Sequence, residues 1–209
     1  AEERGSGKQF MIDDGLFAGL DAALLFHPSD RNESSCRLLA CCDVNVTFHG
    51  LQAHASGDPW KGVNALDALV LLFTSIGLWR QQLPSHARVH GIVTEGGTAA
   101  NIIPERASGW FMVRSSDQAF YESMTARFRA MAEGAALQTG TRLEIELSGG
   151  SDTMKESGVL LERWRANLAA YGEPDDPAAV PPRVVARKGT AWLRVLSALS
   201  PSGRHMGVK

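Results

Sequence analysis

The sequence predicts a mixed α/β protein built around one ferredoxin-like unit, and three observations carry that prediction. Val44, Val46 and Phe48 alternate with Asn45, Thr47 and His49, the two-residue period of a strand with one buried face. Leu66, Leu69, Val70, Phe73, Ile76 and Leu83 then recur at helical spacing. After them the pattern runs strand, strand, helix, strand. The order between about residues 44 and 149 is therefore β-α-β-β-α-β, the split βαβ arrangement in which an antiparallel sheet carries both helices on one face.

Taken in chain order, the apolar stretch from Phe10 to His27 ends in Asp21-Ala22-Ala23-Leu24-Leu25-Phe26-His27-Pro28, which predicts a buried strand after a short helix, halted by proline. Residues 29–42 are polar and aperiodic, predicting a loop into a different unit with a boundary near Asp43. Asn64, three residues before Asp67, is placed to cap a long helix over 64–83. Ala87 to Val93 and Ala107 to Val113 predict two strands, separated by the loop Glu95-Gly96-Gly97-Thr98-Ala99-Ala100-Asn101-Ile102-Ile103-Pro104. Phe120, Met124, Phe128, Met131 and Ala135 mark a second helix closed by Gly140, and Leu143, Ile145 and Leu147 alternate as a last strand. Beyond Gly149-Gly150 a helix is expected across Leu160 to Tyr171. Glu173 to Arg183, with four of the nine prolines, is expected to be a loop. The tail from Arg187 to Lys209 has one apolar stretch, Ala191 to Leu199. Three segments follow: 1–43, 44–150 and 151–209.

Composition narrows the function. The 209 residues suffice for one large or two small domains, and 21 Lys plus Arg against 23 Asp plus Glu leave a net charge of -2. That balance lacks the clustered positive field of a general nucleic-acid binder. No apolar run approaches the ~18 residues needed to cross a bilayer, so no membrane role is expected. Cys36, Cys41 and Cys42 are an odd, crowded set with neither disulfide nor CxxC metal spacing, which points to reduced thiols and a cytoplasmic setting. The opening Ala1-Glu2-Glu3-Arg4-Gly5-Ser6-Gly7-Lys8 lacks the apolar core of a signal peptide and a starting methionine, and is expected to lie inside a longer protein.

Several residue groups could carry chemistry, each with an ordinary structural alternative. Glu2-Glu3 is a charged terminus or a carboxylate pair that divides metal binding from general-base work. His27, after an apolar strand and before proline, is a loop histidine or a ligand. His49-Gly50-Leu51-Gln52-Ala53-His54-Ala55-Ser56 joins strand to helix through small residues, a plain turn or a place where imidazole and backbone approach a ligand. Arg114, at the end of Trp110-Phe111-Met112-Val113, covers a sheet edge or clamps a carboxylate with its bidentate fork. His86, His90 and His205 take the structural reading.

The order of these motifs is more specific than any one of them. Glu2-Glu3, His27-Pro28-Ser29, His49-Gly50-x-x-Ala53-His54-Ala55-Ser56, Pro59-Trp60-x-Gly62-Val63-Asn64-Ala65-Leu66-Asp67-Ala68, Arg88-Val89-His90-Gly91-Ile92, Asn101-Ile102-Ile103-Pro104 and Arg114 resemble the aminoacylase and carboxypeptidase family of two-zinc metallopeptidases. The likeness is to its amidohydrolase-like branch of dipeptidases and aminobenzoyl-glutamate hydrolases, and it covers roughly residues 1–185. It implies that the ferredoxin-like unit is a dimerisation or lid domain inserted in an α/β zinc-peptidase catalytic domain. It further implies that Glu2 is the general base, that Glu3 and His27 are metal ligands, and that His54 polarises the scissile carbonyl, often across a dimer interface. Asn101 and Arg114 are then substrate-binding residues, with Arg114 on the substrate carboxylate. The implied cofactor is a pair of Zn²⁺ or Mn²⁺ ions, the substrate a small peptide or N-acyl amino acid, and the partner a second copy.

The chain also departs from the family pattern. The histidine-aspartate motif and bridging aspartate that precede the Glu-Glu pair in full members do not occur, and neither does the final ligand histidine, since His205 stands in a different context. Two ligands, Glu3 and His27, fall short of the three per ion that a catalytic zinc takes. The expectation is a hydrolase-family chain that holds the whole lid with parts of the catalytic domain on either side. Alone it would be inactive, its metals absent or partial, with exposed apolar surface at Leu20 to Phe26 and Ala191 to Leu199. The rival expectations are a non-catalytic ferredoxin-like homodimerisation module and a small-ligand-binding regulator of the same fold.

Overall fold

The structure, a computed structural model, describes residues 7–23, 34, 39–153 and 156–172. It divides into two units, one of residues 1–39 with 152–209, the other of residues 40–151.

In the second unit the alternation at Val44, Val46 and Phe48 becomes β1, Ala40–His49, with these side chains buried against the helices. A two-residue strand β2, Ala53–His54, and a short 3₁₀ turn, Pro59–Lys61, lead to helix α2, Ala65–Arg80. There follow β3, Ala87–Glu95; β4, Ile102–Ile103; β5, Arg106–Ser115; helix α3, Gln118–Thr139; and β6, Arg142–Ser151. The long strands form an antiparallel sheet in the order β3-β5-β1-β6, which is the ferredoxin-like order. β1 starts at Ala40, inside the segment expected to be a loop, because Ala40 still pairs with Ser115 of β5 and Cys41 with Ser151 of β6. The β1–β6 register shifts between Cys41 and Asp43, where Gly149 and Gly150 take positive φ values of 59° and 120° and fit a chain that doubles one strand against the other.

Both helices lie on one sheet face. Leu69, Leu72, Ile76 and Trp79 of α2 and Met124, Phe128, Ala132 and Ala135 of α3 bury against Val44, Val46, Phe48, Val89, Phe111 and Val113. Each large apolar side chain removed from water here contributes about 1.5–3 kcal/mol. The Phe111 ring is central, with centroids 4.9 Å from Phe73 and 5.2 Å from Phe128. The small residues Ala132, Ala135 and Ala136 let α3 approach closely. The α2 stripe is rotated from the expected one: Leu72 and Trp79 are buried, whereas Val70 is 53% exposed. A helix that is apolar nearly all round leaves its core face to tertiary packing.

The ends of these helices follow local chemistry. Asn64 Oδ1 accepts from the amides of Leu66 at 2.9 Å and Asp67 at 3.4 Å, and its amide group donates to Asp67 at 2.8 Å. Asp117 caps α3 through the Phe120 amide at 2.7 Å, and Gly140, at φ 71°, closes it.

In the other unit, the described residues form helix α1, Gly7–Asp13, and helix α4, Gly158–Ala170, capped by Ser157. Leu20 is exposed, and Asp21 to Ala23, where the predicted strand would begin, are not in a strand; the rest of that segment through Pro28 and the segments 173–183 and 187–209 lie outside the described residues. No helix among the described residues is long and apolar enough to cross a membrane.

Candidate substrate-binding site

The segment between β1 and α2 is tied to the sheet by short backbone bonds. The Gly50 amide donates to Glu105 O at 2.7 Å, Leu51 and Val63 exchange bonds at 2.8 and 2.9 Å, and the Ala65 amide donates to Pro104 O at 2.9 Å. Gly50 is required here, since a Cβ at this position would run into the Val63 carbonyl. This strap presents β2, whose Ala53 and His54 pair with Ile103 and Ile102 of β4.

His54 is exposed, but its ring is not free to choose a proton position. Nδ1 faces the amides of Ser56 at 3.3 Å and Gly57 at 3.1 Å, with the Ser56 hydroxyl at 3.2 Å. A nitrogen that accepts from backbone N–H groups carries no proton, so the neutral ring bears its hydrogen on Nε2. Asn101 is brought beside it, because its carbonyl accepts from the Ala55 amide at 2.9 Å. Next to this turn residues 96–100 and 102–104, with Ala55, Asn64 and Leu66, border an open cavity of about 500 Å³ that neither Asn101 nor any charged side chain lines. The two-residue ladder that pairs His54 with Ile102, next to Asn101, leaves no periodic trace in the sequence. Ser56 and Gly57, which fix the ring, are signalled only by being small and polar immediately after a histidine.

Arg114 is not brought to the same place. It lies on β5 eight residues beyond Arg106, whose end of the sheet holds the His54 strap, a separation of roughly 26 Å at the rise of a strand. Its side chain is on the face turned away from the helices, and its Nε is buried without a hydrogen-bond partner. On that face β1 contributes Asp43, whose Oδ1 is likewise buried and unpartnered. His90 of β3 stands opposite Met112; burial first, then the positive charges of Arg114 and Arg80, lower its pKa from the ordinary histidine value. At the other end of the sheet His49 meets Glu144 at 3.0 Å and Arg106 meets Glu95 at 3.1 Å.

Glu2, Glu3 and His27 lie outside the described residues. Among the described residues no group of three or more His, Cys, Asp or Glu side chains is placed to hold a metal ion.

Residues 41–140 match the family described as the peptidase dimerisation domain. The chain is similar to dipeptidases and aminobenzoyl-glutamate hydrolases, in keeping with the resemblance its sequence carries. It is 39% identical over 146 residues to the Xaa-Arg dipeptidase of Mus musculus, covering 70% of this chain and 34% of that protein. It is 32% identical over 176 residues to a p-aminobenzoyl-glutamate hydrolase polypeptide of Escherichia coli, covering 83% of this chain and 37% of that one. The fold matches the crystal structure of the aminobenzoyl-glutamate utilization protein from Klebsiella pneumoniae with a TM-score of 0.57 at 24% identity, over 79% of this chain and 43% of that one. A hydantoinase/carbamoylase family amidase from Burkholderia vietnamiensis matches with a TM-score of 0.59 at 16% identity, over 80% and 45%. The chain thus spans between about a third and a half of the length of the curated relatives it matches.

Proposed function

We propose that this chain serves a metal-dependent hydrolase of peptide or amide bonds in dipeptides or N-acyl amino acids, and that residues 44–150 are its homodimerising lid. In this reading residues 1–43 and 151–209 belong to the catalytic domain, in a cytoplasmic enzyme. His54 donates from Nε2 to the carbonyl oxygen as negative charge develops there, Asn101 binds the substrate beside it, and Arg114 takes the substrate carboxylate. Glu2 is the base, and Glu3 and His27 are assigned to zinc or manganese, whose chemistry at such a site is Lewis-acid polarisation of a carbonyl. The observation that carries the reading is the pair of backbone amides on His54 Nδ1, since it holds the ring in the tautomer an oxyanion donor needs. The separation of Arg114 from His54 along β5 supports a composite site, in which one copy supplies the carboxylate clamp and its partner the donor histidine. Two assigned ligands are fewer than a catalytic zinc requires, so little turnover is expected from these 209 residues alone.

The test is product release from β-alanyl-lysine, p-aminobenzoyl-glutamate and N-acetyl amino acids, with zinc or manganese, by the chain joined to the upstream ligand segment that the resemblance implies. Turnover that falls by about 10²–10³-fold in His54→Ala is the expected result; a folded, metal-loaded dimer that cleaves none of them would refute the assignment. The second reading, a non-catalytic homodimerisation module, is favoured by a complete lid with no three-ligand cluster among the described residues. Metal content of that joined protein separates the two: near two ions per chain supports the enzyme, near zero the module.

A further inference from the structure

The segment Arg88-Val89-His90 has no part in the function just proposed, yet it borders Arg114. In the β3–β5 register Arg88 stands directly opposite Arg114, and Val89 opposite Val113. Val89 and Val113 are buried towards the helices, so both arginines occupy the other face. Directly opposed side chains in an antiparallel pair have Cβ atoms about 4.5–5.5 Å apart, and like charges there repel. Neither arginine is neutralised by a carboxylate among the described residues. The ion pairs there involve His49, Lys61 and Arg106, not Arg88 or Arg114. Arg88 donates once, to the carbonyl of Ala87 at 2.6 Å, and Arg114 Nε is buried with no acceptor. Asp43, one register row away opposite Met112, keeps an unpartnered carboxylate oxygen of its own.

Two arginines at directly opposed positions, without a carboxylate partner among the described residues and one of them with its Nε buried and unpaired, call for an anionic ligand. We propose that Arg88 is a specificity-determining residue that pairs with a second carboxylate of the substrate, so that the site selects N-acyl derivatives of acidic amino acids. The inference rests on the assignment of the substrate's α-carboxylate to Arg114. That carboxylate occupies one planar fork, and the neighbouring fork is then free for the acid group of an aspartate or glutamate side chain. His90 adds no third cation, since burial and the neighbouring arginines disfavour its charged form.

The test is equilibrium binding of N-acetyl-L-glutamate, N-acetyl-L-glutamine and inorganic phosphate to the 209-residue protein, followed by NMR titration, with Arg88→Gln, Arg88→Lys and Arg114→Gln variants. The wild type is expected to prefer acetylglutamate to acetylglutamine by roughly tenfold or more. Arg88→Gln should abolish that preference without changing acetylglutamine affinity, and Arg88→Lys should retain part of it. A preference unchanged in Arg88→Gln overturns the inference. So does phosphate binding as tightly as acetylglutamate with the same dependence on Arg88, which would mark a general anion site. If both acetylated ligands bind equally and Arg114→Gln abolishes both, the Arg114 assignment stands and only the role of Arg88 fails. If neither binds, both fail.

Discussion

The backbone amide of Gly57 stands 3.1 Å from Nδ1 of His54, and that of Ser56 stands 3.3 Å from the same atom. Side-chain hydroxyls can rotate, but peptide N–H groups in a turn cannot turn into acceptors, so the ring has one neutral tautomer available. Long-range ¹H–¹⁵N correlation spectra at neutral pH should show the His54 proton on Nε2. A predominantly Nδ1-protonated ring would remove the physical basis for its proposed role as a donor. In an assembled enzyme, His54→Ala should cost about 10²–10³-fold in kcat, the usual loss of an oxyanion donor.

Gly50→Ala should damage the same site from a distance. The added methyl collides with the Val63 carbonyl, and the strap that carries His54 must shift to relieve it. Overpacking of this kind costs about 1–3 kcal/mol, visible as a lower urea midpoint, and the His54 resonances should move although no residue touching the ring has changed.

Phe111→Ala tests the core. Its ring is fully buried and touches aromatic partners on both helices, Phe73 and Phe128, so truncation should destabilise the protein by about 3–5 kcal/mol in chemical denaturation. A loss under about 1 kcal/mol would mean that the helices do not pack on the sheet as described.

His90 predicts a pH dependence. Its folded-state pKa is depressed, by burial first and then by Arg114 and Arg80. An unfolded chain therefore takes up the proton more readily than the folded one. The stability contribution is full above the unfolded-state value near 6.5 and is lost as pH falls from there through the lower folded value. Melting curves taken from neutral pH down to about pH 5 should show a decline that is smaller in His90→Gln; equal declines would contradict this account.

The adjacent thiols should differ in reactivity. Cys42 is buried and its pKa is raised, chiefly by desolvation, while Cys41 is half-buried beside the Ser151 hydroxyl at 3.7 Å. Alkylation of the native protein followed by tandem mass spectrometry should find Cys41 modified before Cys42.

What the sequence revealed depended on period. The buried alternation at Val44, Val46 and Phe48 and the apolar spacing at Met124, Phe128 and Ala135 are repeated signals, and they survive as β1 and α3. Ala40 to Cys42 carry no such alternation and join β1 only because β5 and β6 extend far enough to pair with them. The α2 stripe was ambiguous for a different reason: with apolar residues on every side, Leu72 and Val70 are distinguished only by what packs there. The β2–β4 ladder, two residues long, is too short to have a period. The proximity of His54 to Asn101 is thus a tertiary fact, and their assignment as site residues came from the order of motifs. Asp43 and Arg88 gained meaning only from register, which places each beside Arg114 across strands far apart in the chain.

The position of β1 has a consequence for synthesis. It is the first strand of its sheet to leave the ribosome but an inner strand of the finished sheet, flanked by β5 and β6. Both of its backbone edges stay open until residue 115 has emerged, and one until residue 151. Throughout that interval a nascent segment containing Val44, Val46 and Phe48 presents unpaired amides to any other extended chain, including a neighbouring copy on the same message. Conditions that slow elongation between the codons for His49 and Arg106 should therefore lower the yield of native protein without altering its final stability.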